Sequence, residues 1–552
     1  MIDPCPPEAA ATRGGYRVGE GGFARRHLLR IMVKNNPQTS TPGLTGALAG
    51  MDRVAVVDFG GQYAHLISRR LRELNVYTEL VYPEDVTRAL DDYAGFILSG
   101  GPSSVWQARH DRIARAVVDS GKHVLGICYG HQLLAKVLGG TVGPSPKPEF
   151  GPTLVRILDS REILDGFPPR VRVWMSHNDA VLDAPPGVRV AATSEGSPVA
   201  AMWVDHVYSV QWHPEVKHSE LGRELLSNWV RIAGIKREWH PGNMIDALVR
   251  EVKGIIGEER AIAAVSGGVD STVATVIAHR AIGENLIPVL IDHGFHPEGE
   301  VQRVTRFLRS IGVNVQVVDA SEDFLNNLEG IGDPEEKRKI FGSIYARVFE
   351  DLARESGAKY LVQGTIYPDI IESGARKGAD VIKSHHNVAG LPEKFGLKLV
   401  EPLRFFYKDE VRVIAKRLGL PDELVYKQPI PGPGLAVRVE GAINRKLVEI
   451  ARRANSIVVD EVEKAGIASR LWQYFAIVTR SRATGVKGDR RAYGLVVAIR
   501  MVTSDDAMTA EAYRVDWNVL ERIVNRITSE IPEVVRVVYD VTSKPPATIE
   551  WE

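Results

Sequence analysis

From Met51 onward, short apolar runs alternate with amphipathic stretches, and each junction is marked by Gly, Pro, Asn or Asp. RVAVVDF, VYTELVY, GFILSGG and HVLGI read as strands; YAHLISRRLRELN and DRIARAVVDS carry apolar residues at helical spacing. Strands buried on both faces lose the period of two, which is why these runs are almost wholly apolar. The pattern predicts an α/β fold with a mostly parallel sheet covered by helices. It closes in YSVQWHPEV and a helix near Ile235, and IKREWHPGN, with Pro241 and Gly242, reads as a linker. A second α/β alternation follows: AIAAV, TVATVIAHRAI, NLIPVLIDH, VQRVTRFLRSIG, VNVQVVDA, a long helix around KRKIFGSIYARVFEDLARESG, and KYLVQGT. The Pro/Gly-rich QPIPGPGLAVR marks another boundary. Beyond it, YGLVVAIRMVTS and VVRVVYDVTS predict strands around the helix DWNVLERIVNRITSEIP, a small α+β unit. The expected division is 51–235, 236–430 and 431–552.

Residues 1–50 lack any sustained period and are rich in Gly, Pro and Ala. They read as a disordered extension or as an upstream start, with Met51 opening the working protein. Composition then narrows the functional classes. Sixty-nine basic residues balance 69 acidic ones, which argues against a nucleic-acid coat or a basic membrane face. No apolar run approaches the ~20 residues that span a bilayer. Two cysteines, Cys5 and Cys128, cannot build a disulfide framework, so a reducing cytoplasm is the expected compartment.

Cys128 sits in GICYGHQ, between an apolar strand and a helix-forming run. A glycine on each side suits a sharp turn that lifts a thiol out of a sheet toward a helix N-terminus, where the dipole favours a thiolate. Such a cysteine is also a common packing residue. Here the partners for nucleophilic chemistry are present. QWHPEV follows an apolar strand, and in extended geometry His213 and Glu215 point the same way. His213 could take the proton of Cys128 and Glu215 could fix the ring. Gly100-Gly101, with the N–H of Tyr129 behind the nucleophile, is the ground for an oxyanion hole.

DFGGQY, SGGP, GICYGHQ, WMSHND and QWHPEV together resemble the class I glutamine amidotransferases in order and spacing. The resemblance implies glutamine hydrolysis through a Cys128–His213–Glu215 triad, with oxyanion donors at Gly101 and Tyr129. Gln132, Ser176 and His177 are then candidates to hold glutamine. Two positions depart from the expected pattern: His131 in the elbow, and Asn178 in place of a Gly.

Ser266-Gly267-Gly268-Val269-Asp270-Ser271 joins a strand to a helix and continues into Thr272. Successive N–H groups, hydroxyls and a positive helix end suit phosphate oxygens. A bare SGG turn is often only a tight connection. The full hexapeptide resembles the pyrophosphate loop of the N-type ATP pyrophosphatases, an adenine-nucleotide α-hydrolase-like fold. That likeness implies ATP held by residues 266–272, with Asp270 positioning Mg2+ on the polyphosphate.

KRKIFGSIYARVFEDLA, LVQGTIYPDIIES, IKSHHNVAGLPE, EPLRFFYKDEVR, QPIPGPGLAVR, GVKGDRRAYGLVVAIR and VTSKPPATIEWE complete the set. They resemble the glutamine-hydrolysing guanosine monophosphate (GMP) synthetase family across 51–552. The family implies amination of xanthosine monophosphate (XMP) with glutamine and ATP as co-substrates, in GMP biosynthesis. It also implies a homodimer built on the C-terminal dimerisation domain. Lys383 becomes the candidate for the phosphates or the adenylylated intermediate, and Arg338, Gln473, Lys544 and Glu550 match XMP-binding positions. The family's DxGLLRxxE segment reads here Asp292-His293-Gly294-Phe295-His296-Pro297-Glu298-Gly299-Glu300, without its basic residue. His385-His386 lack companions at zinc spacing and read as lid residues. An NAD synthetase and a catalytically silent binding protein on the same folds are the rival readings. The terminal KPPATIEWE speaks against the first, and the intact Cys128, His213, Glu215 and SGGVDS against the second.

Overall fold

The computed structural model describes residues 46, 48, 50–107, 110–374, 396–504 and 509–552. Cys5, Lys383, His385 and His386 lie outside them. The first sheet has nine strands in the order β2-β1-β3-β4-β9-β8-β7-β5-β6: β1 Arg53–Val57, β2 Tyr77–Val81, β3 Gly95–Leu98, β4 His123–Ile127, β5 Thr141–Ile157, β6 Arg170–Asp183, β7 Arg189–Thr193, β8 Ala201–Val204 and β9 Val207–Val210. The strands from β2 to β9 pair in parallel. The remaining four add antiparallel joints. The sheet is therefore only half parallel, because β5 and β6 form a long two-stranded arm. That arm shows the alternation of buried and exposed positions that a one-sided strand requires. Along β1, Val54 and Val56 enter one core with Leu71 and Trp229, while Ala55 and Val57 enter the other with Phe96 and Leu133.

The second sheet, order β12-β11-β10-β13-β14, is parallel throughout: β10 Ala261–Ala264, β11 Leu286–Asp292, β12 Gln316–Asp319, β13 Tyr360–Val362 and β14 Lys398–Val400. The third contains β15 Gln473–Lys487, β16 Arg490–Thr503, β17 Glu511–Ala512 and β18 Val534–Asp540. Two helices, Arg445–Lys464 and Trp517–Glu530, supply its core. Ile262 and Val289 of the second sheet share that core with Val458, Tyr474 and Val497, so packing runs unbroken across residue 430. Among the described residues no helix is long and apolar enough to cross a membrane.

The first two units meet around one arginine. Arg72 ends the helix Ala64–Arg72 and is almost fully buried. Its guanidinium donates to Glu410 Oε2 at 3.1 Å, Phe405 O at 2.7 Å and Thr78 O at 2.8 Å. Tyr77, Trp239, Tyr407 and Tyr367 surround it with ring centroids 4.7–5.4 Å away. Burial opposes the charge, but Glu410 and the rings outweigh it and raise the pKa. A planar, permanently charged group suits such a box as Lys would not. Trp239, from the linker, stacks on Phe406 and donates to Glu410.

Arg72→Met leaves Glu410 buried without its cation and is expected to cost about 3–5 kcal/mol, read as a lower thermal midpoint. The double variant Arg72→Met/Glu410→Leu should recover most of that loss. A midpoint unchanged by the single substitution would show that the pair does not hold the two units together.

Candidate active sites

Loops at the carboxyl ends of β3, β4 and β9 converge on one edge of the first sheet, beside the point where strand order reverses. Cys128 follows β4 and immediately precedes the helix Tyr129–Val137, at φ +54° and ψ −104°. A non-glycine residue there stores about 1–3 kcal/mol of strain. Its neighbours make the turn possible. A Cβ on Gly130 would lie 2.1 Å from Leu98 O, and one on Gly126 would lie 2.6 Å from Leu134 Cδ1. The helix can therefore start hard against the strand ends, with its first N–H groups, Tyr129 included, lacking intrahelical acceptors.

His213 and Glu215 reach this point by a route other than the extended one expected. Residues 211–215 leave β9 as a bend and turn: His213 N–H donates to Trp174 O at 3.0 Å, and Val216 N–H returns to His213 O at 3.3 Å. Pro214 and the buried Trp212 bring the two side chains together within the turn. His213 Nδ1 donates to Glu215 Oε1 at 2.7 Å. A Cβ on Gly100 would stand 3.1 Å from His213 Cε1 and 3.8 Å from Cys128 Cβ, which places ring, thiol and Gly100-Gly101 around one small space. Burial works against a charged ring, yet Glu215 and then Cys128 overcome it and push the His213 pKa up to about 10. Tyr63 closes the far side of the ring, centroids 4.9 Å apart. Sγ of Cys128 lies 3.6 Å from Ser176 O and 3.8 Å from Gln211 Nε2.

The glutamine candidates divide. Gln132 Nε2 donates to Asp179 O at 2.6 Å and approaches Gln211 Oε1 at 3.3 Å. Ser176 presents its carbonyl to the thiol. His177 turns away: Nδ1 meets Asp179 O at 3.0 Å and Nε2 meets Glu149 at 3.1 Å. Glu149 is further held by Ser194 and Gly196. The His177 side chain thus braces the β5–β6 arm and has no nitrogen left for glutamine. His131 is likewise structural, bridging Ser209 Oγ at 2.8 Å and Val199 O at 2.9 Å, and burial lowers its pKa to about 4. Asn178 is exposed.

At the edge of the second sheet, residues 266–272 turn from β10 into the helix Val269–Ile282. Gly267 takes φ +81°. Ser266 Oγ and Ser271 Oγ lie 2.9 Å apart, and the hydroxyls of Ser271 and Thr272 donate to Gly268 O at 3.1 and 2.8 Å. Gly364, after β13, has no room for a side chain: its Cβ would lie 2.6 Å from Ser271 N. Asp270 Oδ2 pairs with Lys408, and Lys427 reaches Gly267 O at 3.1 Å while pairing with Glu300. Neither lysine was singled out from sequence. They stand 138 and 127 residues from their acidic partners, so no local pattern marks either.

A third constellation gathers on the C-terminal tail. Gln473 donates to Glu550 Oε1 at 2.9 Å and to Pro429 O at 2.6 Å. Arg438, buried and unrecognised in the sequence, reaches the same carboxylate at 3.1 Å. Arg338 donates to the main-chain oxygen of Glu552, and Lys337 Nζ pairs with the Glu552 side chain. Arg500 fixes the tail through Thr542 O, Thr548 O and Ile549 O at 2.7–2.9 Å. Lys544 exchanges main-chain hydrogen bonds with Ala510 at 2.7 and 3.1 Å. Arg338, Gln473 and Glu550 therefore share one neighbourhood, and Lys544 is anchored on the same tail.

Comparison with known proteins bears on all three regions. The family model for glutamine amidotransferase class-I matches residues 55–233, that for NAD synthase residues 243–352, and that for the GMP synthase C terminal domain residues 460–551. The chain is 62% identical over 504 residues to the GMP synthase [glutamine-hydrolyzing] of Aeropyrum pernix, covering 90% of this chain and 98% of that one. It is 51% identical to the corresponding protein of Pyrobaculum aerophilum, covering 91% and 100%. The similar protein of Aquifex aeolicus is 46% identical, at 90% and 99% coverage. With three domain families in register and three relatives matched over nearly their whole length, the chain belongs to the glutamine-hydrolysing GMP synthase family.

Proposed function

We propose that this protein is a ligase that aminates XMP to GMP, using glutamine as nitrogen donor and ATP as activator. The observation that carries the reading is the pairing of a strained thiol, Cys128, with a buried His213 kept protonated by Glu215, on a chain that also carries a separate phosphate cradle. In the first half-reaction the Cys128 sulfur attacks the side-chain carbonyl carbon of glutamine. Negative charge on the oxygen is met by the N–H groups of Gly101 and Tyr129. His213 holds the proton that Cys128 gave up and passes it to the departing ammonia; it then takes a proton from the water that cleaves the γ-glutamyl thioester, releasing glutamate and restoring the Cys128–His213 pair. Gln132 and the main chain at Ser176 orient the substrate, while His177 acts through the arm it braces.

In the second half-reaction the 2-oxo oxygen of XMP attacks the α-phosphorus of ATP and pyrophosphate leaves. Ammonia then adds at C2 and displaces AMP. Residues 266–272 hold the phosphates, with Lys408 keeping Asp270 in place. Asp270 Oδ1 is buried without a hydrogen-bond partner, and among the described residues no three metal-ligating side chains converge. That suits Mg2+, which takes one or two carboxylates and completes its shell with phosphate and water. When bound, it neutralises charge on the polyphosphate. Arg338, Gln473, Glu550 and Lys544 are assigned to XMP, and Lys383 to the phosphates. Val486, Tyr493 and Val538, exposed on the third sheet, and Val541, just past its last strand, support a homodimer through this domain. The proposed compartment is the cytoplasm.

Three measurements test the reading. With XMP, ATP and Mg2+, Cys128→Ala is expected to lower glutamine-driven GMP formation on the order of 10^4-fold or more, while synthesis from ammonium salts persists. Equal loss from both nitrogen sources would contradict separate sites. Asp270→Ala should reduce synthesis from either source by about 10^2-fold or more, with glutaminase turnover retained. The third concerns charge. Because His213 holds its proton up to about pH 10, a cationic ring faces the sulfur at pH 6–9, and the His213 ring resonances followed by NMR should show no titration across that range. Glu215→Gln removes the main group that raises the His213 pKa. Deprotonation then moves down from about pH 10, and the His213 ring resonances should titrate within the same range. Identical pH profiles for the two proteins would remove Glu215 from the triad.

A further inference from the structure

Lys427 is a half-buried cation that the half-reactions above do not use. It follows the short helix Asp422–Val425 and precedes the Pro/Gly-rich segment at 428–434. Its ammonium donates to the carbonyl oxygen of Gly267 at 3.1 Å and pairs with Glu300 Oε1. Glu300 is itself buried, and its second oxygen has no hydrogen-bond partner. Segment 292–300 contains no Lys or Arg, so the cation facing Glu300 comes from more than a hundred residues downstream. Burial lowers the Lys427 pKa, and Glu300 works against that shift. Its half-buried ammonium is held by two partners, a main-chain carbonyl and a buried carboxylate, which offset the cost of removing it from water.

What it holds is the loop's backbone. In a trans peptide the C=O and the following N–H point in opposite directions. Lys427 tethers Gly267 O, and the hydroxyls of Ser271 and Thr272 tether Gly268 O. With both carbonyls drawn to the protein side, the N–H groups of Gly268 and Val269 are turned the other way, as an anion-binding nest requires. Gly268 N–H has only a long contact, 3.4 Å to Ser266 Oγ. The fit allows no side chain at 267, where a Cβ would lie 2.8 Å from Glu300 Oε1.

We propose that Lys427, held by Glu300, is a positioning residue for ATP, fixing the Gly267–Gly268 peptide so that its N–H faces the phosphates. The inference rests on residues 266–272 being the ATP loop, and its test separates the two claims. In the full-length protein, driven by ammonium so that the thiol site is bypassed, Lys427→Met should lower kcat/KM for ATP by about 10- to 100-fold. The KM for XMP should stay within about twofold, and glutaminase turnover should be unchanged. Lys427→Arg retains a donor and should restore ATP kcat/KM to within about fivefold. If Lys427→Met proves poorly folded by thermal melting, Glu300→Gln replaces it. That variant keeps the lysine but loosens its hold, and should lower ATP kcat/KM by about 3- to 10-fold with the XMP KM unchanged. An equal fall for ATP and XMP in a folded variant, or no recovery with Arg, overturns the positioning role. If Asp270→Ala leaves ATP kinetics intact, the loop assignment itself fails. If Asp270→Ala abolishes synthesis while folded Lys427→Met keeps its ATP kinetics, only the role of Lys427 is lost.

Discussion

A helix that begins directly at the end of a parallel strand leaves its first N–H groups without intrahelical acceptors, and both nucleotide- and glutamine-handling chemistry in this chain depend on that constraint. The turn must be short enough for the open N–H groups to lie over the sheet edge. Shortness brings backbones into contact, and only glycine fits: Gly126 and Gly130 around Cys128, Gly267 and Gly364 around the phosphate loop. The two turns then diverge. At Cys128 the strained residue carries the reactive sulfur. In the proposed phosphate loop the left-handed position is a glycine, free of strain, and the backbone N–H groups are the ones assigned to bind.

Charge buried beside these turns is paired at each centre, and the pairs do different work. His213–Glu215 keeps a proton ready next to a thiol. Arg72–Glu410 sits inside a ring of aromatic side chains and joins two units of the fold. Lys427–Glu300 grips a carbonyl. In each case desolvation penalises the lone ion heavily, so removing one member strands the other. Residues 407–410 concentrate this dependence: Tyr407 flanks Arg72, Lys408 meets Asp270, Asp409 faces Arg69 at 3.5 Å and Glu410 pairs with Arg72. One turn of helix thereby touches both the phosphate loop and the first unit.

Features governed by local order were readable in the sequence. The strand–glycine–cysteine–glycine–helix order is a backbone requirement written in neighbouring residues, and so is the SGGVDS junction. Apolar runs likewise announced the parallel strands, since burial on both faces removes polar positions. The antiparallel half of the first sheet was harder, because β5 carries four prolines and exposed Phe150 and Leu154 among its apolar residues, and β6 mixes charged and polar residues with its apolar ones. The His213–Glu215 geometry was anticipated in its outcome but not its means, as a turn replaced the extended strand. Lys408, Lys427, Arg438 and Lys337 were silent because their partners lie about a hundred or more residues away. A lone basic residue carries no local signature of the carboxylate it will meet.

The C-terminal tail shows why such distant pairs accumulate at one place. A terminal segment pays a large ordering entropy unless it is tied down, and here few apolar contacts hold it: Ile549 shares a small cluster with Val502 and Ala510. Charged hydrogen bonds take over, from Arg500 to three tail carbonyls, from Arg438 and Gln473 to Glu550, and from Lys337 and Arg338 to Glu552. Those anchors come from the second unit, the junction at 438 and the third sheet, so the tail can seat only after all three have packed. The XMP contacts proposed on this segment would make the substrate site a readout of assembly between units rather than a property of any one of them.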